Sequence, residues 1–437
     1  MRTKIILTAF VLLRGLAVGA QSIDSTTIQS LEELWRIALQ KNGNQQVYTL
    51  QRQKAEADYK TARSFLYPQA GASFNGLDFL ELATTPVPGE LVGQPGTTLD
   101  LQFGKKYQYN AGLTMTKGLF DWQKKFQAQA AKENIALTGA QQGAFEQSLK
   151  TQLAQYYYSW QVANASTDIF SKDLALADSI LKLANQKFSQ GLIPITPVNK
   201  AQIDYNNVLQ NIYQSEELKQ LALSNIKKLT GIELENDLVL RQETDLVRLY
   251  TNVPELGIDR NLLVYPHSIA SADHQSKAAR AAFYPSLSLM SYTGSQQFRS
   301  DFGLSLQSSS WSGYRYLGLN LNVPLFTGFA TKNKLQSATI QKQIVEVQFK
   351  DAQKQSAIND NALKTSFSNY LSMTNNSKKT FELFGENLEL ARQQYAEGLI
   401  SVDSYLKSFE DYLSAENMYL NSLSNLLMVQ ASVNARK

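Results

Sequence analysis

Residues suited to chemistry are few in this sequence. The only histidines of the 437-residue chain, His267 and His274, stand seven apart in a segment that reads as helix. That spacing lets two imidazoles share a face, but a zinc-type site needs further His, Cys or carboxylate ligands at matched spacing. No acidic or cysteine partner completes such a site, so packing or solvent exposure is the favoured reading of both. The chain has no cysteine, which removes thiolate nucleophiles, thiolate metal sites and disulfides. Neither a phosphate-cradling GxxxxGK[ST] nor GxGxxG, HExxH or GxSxG occurs. Tyr156, Tyr157 and Tyr158 form an aromatic run inside a helical stretch, which reads as packing. The expectation is a protein that is not an enzyme, with no catalytic residues, no cofactor and no metal.

What recurs instead is a motif able to make contacts. "FSQGLIPITPV" begins at Phe188 and "YAEGLISVDSY" at Tyr395, 207 residues later, and the two align without a gap. Gly191 and Gly398 lack side chains, which permits close approach of another backbone or helix. Leu192 and Leu399 add an apolar contact beside them. The alternative is that each glycine is the C-cap of a helix and each leucine its hydrophobic clasp; the two readings are compatible.

The elements that must position these motifs also come in pairs. Leu174, Ala177, Leu181, Ala184, Phe188 and Gly191 are spaced 3, 4, 3, 4, 3, and Phe381, Phe384, Leu388, Ala391, Tyr395 and Gly398 repeat that spacing. Such stripes mark helices packed in coiled-coil fashion. They end two runs almost free of Gly and Pro, Asp121–Gln190 and Gly328–Glu397. A continuous helix of about 70 residues would be roughly 105 Å long. Return helices are expected over 198–229 and 402–432. Each half begins with a shorter helix, Ser30–Arg63 and about Arg260–Ala281, and Ser30 with Glu33 makes a capping-box pattern. Tyr67-Pro68 and Tyr284-Pro285 end those helices. Two further matches extend the duplication: "LFDWQKKFQAQA" from Leu119 with "LFTGFATKNKLQ" from Leu325 at an offset of 206, and "FLYPQAGASF" from Phe65 with "AFYPSLSLMS" from Ala282 at 217. The length difference falls in a polar, Pro/Gly-rich loop over about 80–105.

Between the short and long helices lie strand-like segments. In "YLGLNLNVPLF", Leu317, Leu319, Leu321, Val323 and Leu325 alternate with Gly318, Asn320 and Asn322. In "YQYNAGLTMTKG", Tyr107, Tyr109, Ala111, Leu113 and Met115 alternate with Gln108, Asn110, Gly112, Thr114 and Thr116. Alternation alone also fits a layer of a soluble β-sandwich. Strands of about ten residues with aromatic ends, small polar inner faces and long loops suit a membrane barrel, with Leu113, Met115, Leu317, Leu319, Leu321 and Val323 facing lipid. Four strands per chain are too few to close a wide barrel; three copies would supply twelve.

The chain opens "MRTKIILTAFVLLRGLAVGAQS". A basic n-region, a short apolar core and small residues at Val18 and Ala20 read as a secretory signal peptide over residues 1–20, cleaved before Gln21. Arg2, Lys4 and Arg14 supply three of the four net positive charges, so the mature chain is near neutral and gives no basis for nucleic-acid binding. No later stretch approaches 18 uninterrupted apolar residues, so the mature chain carries no expected membrane helix.

This layout resembles the TolC-type outer-membrane efflux proteins. The resemblance covers the whole mature chain. It rests on the twice-repeated order of helix, strand pair, long helix, Gly-Leu turn and return helix, and on "SLEELWRIALQKN", "FLYPQ", "FYPSL", "LFD", "LFTG" and "FSQGLIPIT". The resemblance implies an α+β membrane protein, internally duplicated. Three copies form a 12-stranded β-barrel with four strands per chain, continued by a long periplasmic α-helical barrel. The halves would be residues 21–240 and 258–437, joined by a linker over 241–257. It implies a passive channel in the outer membrane of a Gram-negative bacterium, extending into the periplasm as a homotrimer that meets outer-membrane lipid. Its partners would be a periplasmic adaptor (membrane fusion) protein and an inner-membrane transporter. Gly191, Leu192, Ile193, Thr196, Gly398, Leu399, Ile400 and Ser401 would form the adaptor-docking tip. The charged contacts that close the mouth in that family have no match: the acidic position falls on Pro197 and the basic one on Ile400, with Asp403 and Lys407 out of register. The competing reading is a periplasmic coiled-coil adaptor or scaffold without a barrel, which leaves the strands unexplained. A secreted enzyme or binding protein would need a polar cleft cluster that the sequence does not offer.

Overall fold

The computed structural model describes residues 26–233, 236–243 and 255–436. The expected signal peptide lies outside the described residues, as does most of the 241–257 linker. The chain orders as β1 (Thr26–Ile28), α1 (Leu31–Lys41), α2 (Gly43–Ala62), β2 (Gln69–Asp78), β3 (Thr84–Pro88), β4 (Thr98–Gln102), β5 (Tyr107–Phe120), α3 (Trp122–Ser189), α4 (Ile195–Thr230), β6 (Leu238–Leu240), α5 (Val264–Ala281), β7 (Ser286–Arg299), β8 (Ser312–Asn322), α6 (Ala330–Ala396) and α7 (Val402–Asn434). A short helical segment, a pair of long strands (β2 and β5, then β7 and β8), a long helix and a return helix therefore occur twice in the same order, with β3 and β4 inserted in the first half only. The long helices span 68 and 67 residues, matching the Gly- and Pro-poor runs to within two residues at each end.

Three features differ from the sequence reading. The first helix is interrupted: Asn42 leaves helical geometry at ψ 126°, and the chain restarts at Gly43. The Asn42 amide donates to the Leu229 carbonyl at 2.8 Å, a bond that a continuous helix would not aim. The Pro/Gly-rich stretch after β2 holds a two-stranded antiparallel ribbon, β3 with β4; Pro86 and Pro88 are tolerated because β3 is an edge strand. Val323 lies just past β8, because the following Pro324 has no N–H to continue a ladder.

The chain divides into two compact units, each drawing on both halves of the sequence. One, the sheet unit, comprises the described parts of Gly43–Ser148, Glu255–Thr365 and Arg436–Lys437. It contains an antiparallel sheet in the order β2-β5-β7-β8. Ser291 pairs with Met115 on one side and with Leu317 on the other. Leu289 pairs with Lys117 and Leu319. Side chains directly opposite each other share a face, so Leu113, Met115, Leu287, Leu289, Leu317, Leu319 and Leu321 lie on one face. Asn110, Thr114, Thr116, Ser288, Asn320 and Asn322 lie on the other.

The helical unit comprises the described parts of Met1–Asn42, Leu149–Pro254 and Ser366–Ala435. There β1 pairs in parallel with β6, Ile28 opposite Leu240, and both side chains are buried. Ser30 caps α1 by accepting from the Glu33 N–H, while the Glu33 carboxylate accepts from the Gln29 N–H. The capping box forms with its return bond displaced by one residue. Tyr157 and Tyr158 are buried with ring centroids 5.6 Å apart. Tyr157 donates to Glu243 at 2.9 Å, and burial together with that carboxylate pushes its phenol upward.

Candidate functional site

Both long helices stop by the same backbone device. The Leu192 N–H donates to the Lys187 carbonyl and the Gly191 N–H to that of Phe188, each at 2.9 Å. The Leu399 N–H donates to Gln394 at 2.9 Å and the Gly398 N–H to Tyr395 at 3.0 Å. Paired six-to-one and five-to-two bonds of this kind require a left-handed residue at the cap; Gly191 has φ +69° and Gly398 φ +77°. The glycines are therefore demanded by the turn. A Cβ at either would meet nothing within 4 Å, so no described part of the chain uses their smallness for close approach. The leucines do not clasp the cap: Leu192 is 62% and Leu399 69% exposed.

The other tip residues divide. Thr196 is exposed, and Ser401 caps α7 by accepting from the Ser404 N–H at 3.2 Å. Ile193 and Ile400 turn inward and pack against a buried cluster, so they hold the turns down. That cluster is built from all four helices that carry the turns: Ala177 and Ala184 of α3, Val198 and Ala201 of α4, Leu388 and Ala391 of α6, and Leu406 and Phe409 of α7. Pro197 is buried in the first turn of α4, a place where its missing N–H costs nothing.

Charged groups thread this packing in a way the sequence reading missed. Glu410 of α7 accepts from Lys200 of α4 at 3.1 Å and from Lys407 at 3.3 Å, and these bonds hold its carboxyl below the ordinary range. Asp204, one turn after Lys200, is 7% exposed with Oδ2 unpartnered. Burial raises its pKa to about 6, with Lys200 opposing and Glu410 adding to the rise. Deeper in the packing, Asp173 of α3 and Glu416 of α7 are buried neighbours, with Tyr412 beside them. Glu416 is fully buried. Burial first, and the neighbouring Asp173 second, push it to about 9, so it is protonated at neutral pH. The signal was in the spacing: Asp173 falls on the α3 stripe between Phe170 and Ala177. Glu416 falls between Leu413 and Leu420 on the α7 stripe.

In the sheet unit, His267 Nδ1 lies 3.3 Å from Glu133, an acidic neighbour that the sequence reading had not supplied. Among the described residues no three His, Asp or Glu side chains gather as a metal-holding group. The apolar face of the sheet is bare, with Leu113, Met115, Leu317, Leu319 and Leu321 each between 51% and 71% exposed. On the opposite face Tyr292 is buried and stacks on Tyr314 and Tyr316, centroids 5.0 and 5.6 Å away. Its ring lies over Gly112 and Gly294, where any Cβ would collide with it.

A family described as "Outer membrane efflux protein" matches residues 34–232 and 256–435. The chain is 25% identical over 325 residues to the probable efflux pump outer membrane protein TtgC of Pseudomonas putida, covering 72% of this chain and 63% of that protein. In fold it is similar to crystal structures of CusC (TM-score 0.75, 20% identity, 93% of this chain and 91% of that one). It is also similar to the outer membrane channel CmeC of Campylobacter jejuni (TM-score 0.73, 16% identity, 100% and 93%).

Proposed function

Because the chain belongs to the outer membrane efflux protein family, we propose that it is the outer-membrane channel of a tripartite efflux or secretion system, a passive duct rather than an enzyme. Three copies contribute four strands each to a 12-stranded barrel, and the helical units continue the duct into the periplasm. One observation carries this reading: a four-stranded sheet with a bare leucine-rich face, a polar opposite face and two open edges. In water such a face would be an aggregation patch. In a bilayer it is the outer wall of a barrel, whose closure removes both edges. No described helix is long and apolar enough to cross a membrane. The coiled-coil adaptor alternative gives the sheet no task.

Leu192 and Leu399, held outward by the capped turns, are the apolar contacts for a periplasmic adaptor that couples the duct to an inner-membrane transporter. Thr196 and Ser401 flank them, while Ile193 and Ile400 act from inside. The test has two arms, each reading trimers in detergent extracts of the outer membrane beside export in cells. Leu319→Arg or Leu321→Arg should lower trimer yield, at a cost of about 2–4 kcal/mol for a cation near the bilayer midplane, whereas Asn320→Arg should assemble normally. Equal defects at all three positions would refute the face assignment. Leu192→Asp with Leu399→Asp should leave trimers intact and abolish export; full export would remove the docking role.

A further inference from the structure

The offsets that relate the two halves also define a strand pairing that a single copy cannot make. Moving β2 forward by 217 residues and β5 by 206 converts Gln69↔Thr116 into Ser286↔Asn322 and Ala70↔Met115 into Leu287↔Leu321. All ten pairs of the β2–β5 ladder map in this way onto observed pairs of β7–β8. The duplication therefore preserves register, residue for residue. The remaining ladder is β5–β7. Under the same offsets β5 becomes β8, and β7 becomes β2. Thr114↔Tyr292 becomes Asn320↔Asn75, Met115↔Ser291 becomes Leu321↔Phe74, and Thr116↔Met290 becomes Asn322↔Ser73. Within one copy β2 and β8 are the opposite edges of the sheet, so the partner must be a second copy.

We propose that copies of this chain join β8 of one to β2 of the next, antiparallel, with Asn320 opposite Asn75 and Asn322 opposite Ser73. The proposal rests on the barrel reading above and specifies its seam. Two observations independent of the offsets agree with it. The register places Leu321 opposite Phe74 and Asn320 opposite Asn75, so the apolar and polar faces run continuously across the seam; a slip of one residue would invert them. The exposures also differ in the expected direction. Leu119 and Phe120, which adjoin β7 in the same copy, are 50% and 41% exposed, whereas their counterparts Leu325 and Phe326 are 93% and 77% exposed. Phe120 lies opposite Leu287; Phe326 would lie opposite Ala70 of the next copy.

The chain has no cysteine, so engineered pairs report without background. Directly opposite residues in an antiparallel pair have Cα atoms about 4.5–5.5 Å apart, within disulfide reach, whereas diagonal ones at about 7–8 Å are beyond it. Four double variants of the full-length protein are made: Asn320→Cys with Asn75→Cys, Asn322→Cys with Ser73→Cys, and the two crossed combinations. Each single variant is first sized in detergent, which separates assembly from register. After oxidation, a non-reducing gel should show covalent trimers for the first two combinations and not for the crossed ones. Links in the crossed combinations, or no inter-copy link in a protein that still forms trimers, would overturn the register while leaving the barrel reading in place. Absence of trimers in the unsubstituted protein would overturn both.

Discussion

Lys200 and Asp204 of α4 correspond, 207 residues on, to Lys407 and Asp411 of α7, and the two pairs behave in opposite ways. In α7 the lysine holds its own aspartate at 2.9 Å, and both stay in contact with water. In α4 the lysine turns across to Glu410 and leaves Asp204 buried with an unpartnered oxygen. The residue that decides between them is Glu410 itself. Its counterpart in the first half is Ile203, which is exposed and offers a lysine nothing. One acid in α7 thus draws both lysines, and the duplicated pair becomes a surface ion pair in one hairpin and a buried carboxyl in the other. An i,i+4 pair read from sequence is an offer; the neighbouring helix determines whether it is taken up.

The largest effect that could break this comparison is expected at Asp204. Its carboxyl titrates near 6 in the fold, above its ordinary 3.8. The associated stability is fully present below about pH 4 and is lost as pH rises through about 6. Asp204→Asn should therefore stabilise the protein at pH 7 by about 1–3 kcal/mol and flatten its pH dependence between 4 and 6. Asp411→Asn should give no gain. Thermal unfolding in detergent across pH distinguishes them; equal responses at both positions would dissolve the contrast. Next come the glycines, where the halves should behave alike. Gly191→Ala and Gly398→Ala should each cost about 1–2 kcal/mol, because both sites are left-handed, and clearly unequal losses would show that one turn is held by something else. Smaller and one-sided is the helix start: Ser401→Ala should cost about 1 kcal/mol through the lost cap, whereas Thr196→Ala, whose exposed side chain caps nothing in α4, should leave the melting temperature unchanged. The smallest change is expected from Glu410→Gln, within about 1 kcal/mol for an exposed ion pair. It should nevertheless move the acid midpoint of Asp204 downward, since a negative neighbour is removed and Lys200 is released; an upward shift would show that Glu410 does not raise it.

How legible these features were in the sequence depended on the range over which they are determined. Long helices, strand alternation and Gly-Leu caps are local periodicities, and α3, α6 and the leucine face of β8 followed from them. The interruption at Asn42 did not, because it depends on a hydrogen bond to Leu229, a residue far along the chain. The β1–β6 pair joins three-residue segments more than 200 residues apart, too short to carry a periodic signal of their own. At the tip, the family resemblance grouped Ile193 and Ile400 with the docking residues. Their inward packing depends on a cluster assembled from four helices. The attraction of Lys200 to Glu410 follows from how α4 and α7 lie against each other, which neither helix encodes alone.

The Asp173–Glu416 contact has a consequence for how the chain acquires its shape. A glutamate free in an unfolded chain is ionised at neutral pH, whereas this one, fully buried and facing Asp173, keeps its hydrogen. Folding therefore consumes a proton from solution at this site in every copy, and the native state binds hydronium as it would any stoichiometric ligand. Sign and window follow: the raised affinity favours the native state below about pH 4.5 and fades as pH climbs through about 9. A buffer titrated during refolding should record the uptake directly, and Glu416→Gln should abolish that part of it.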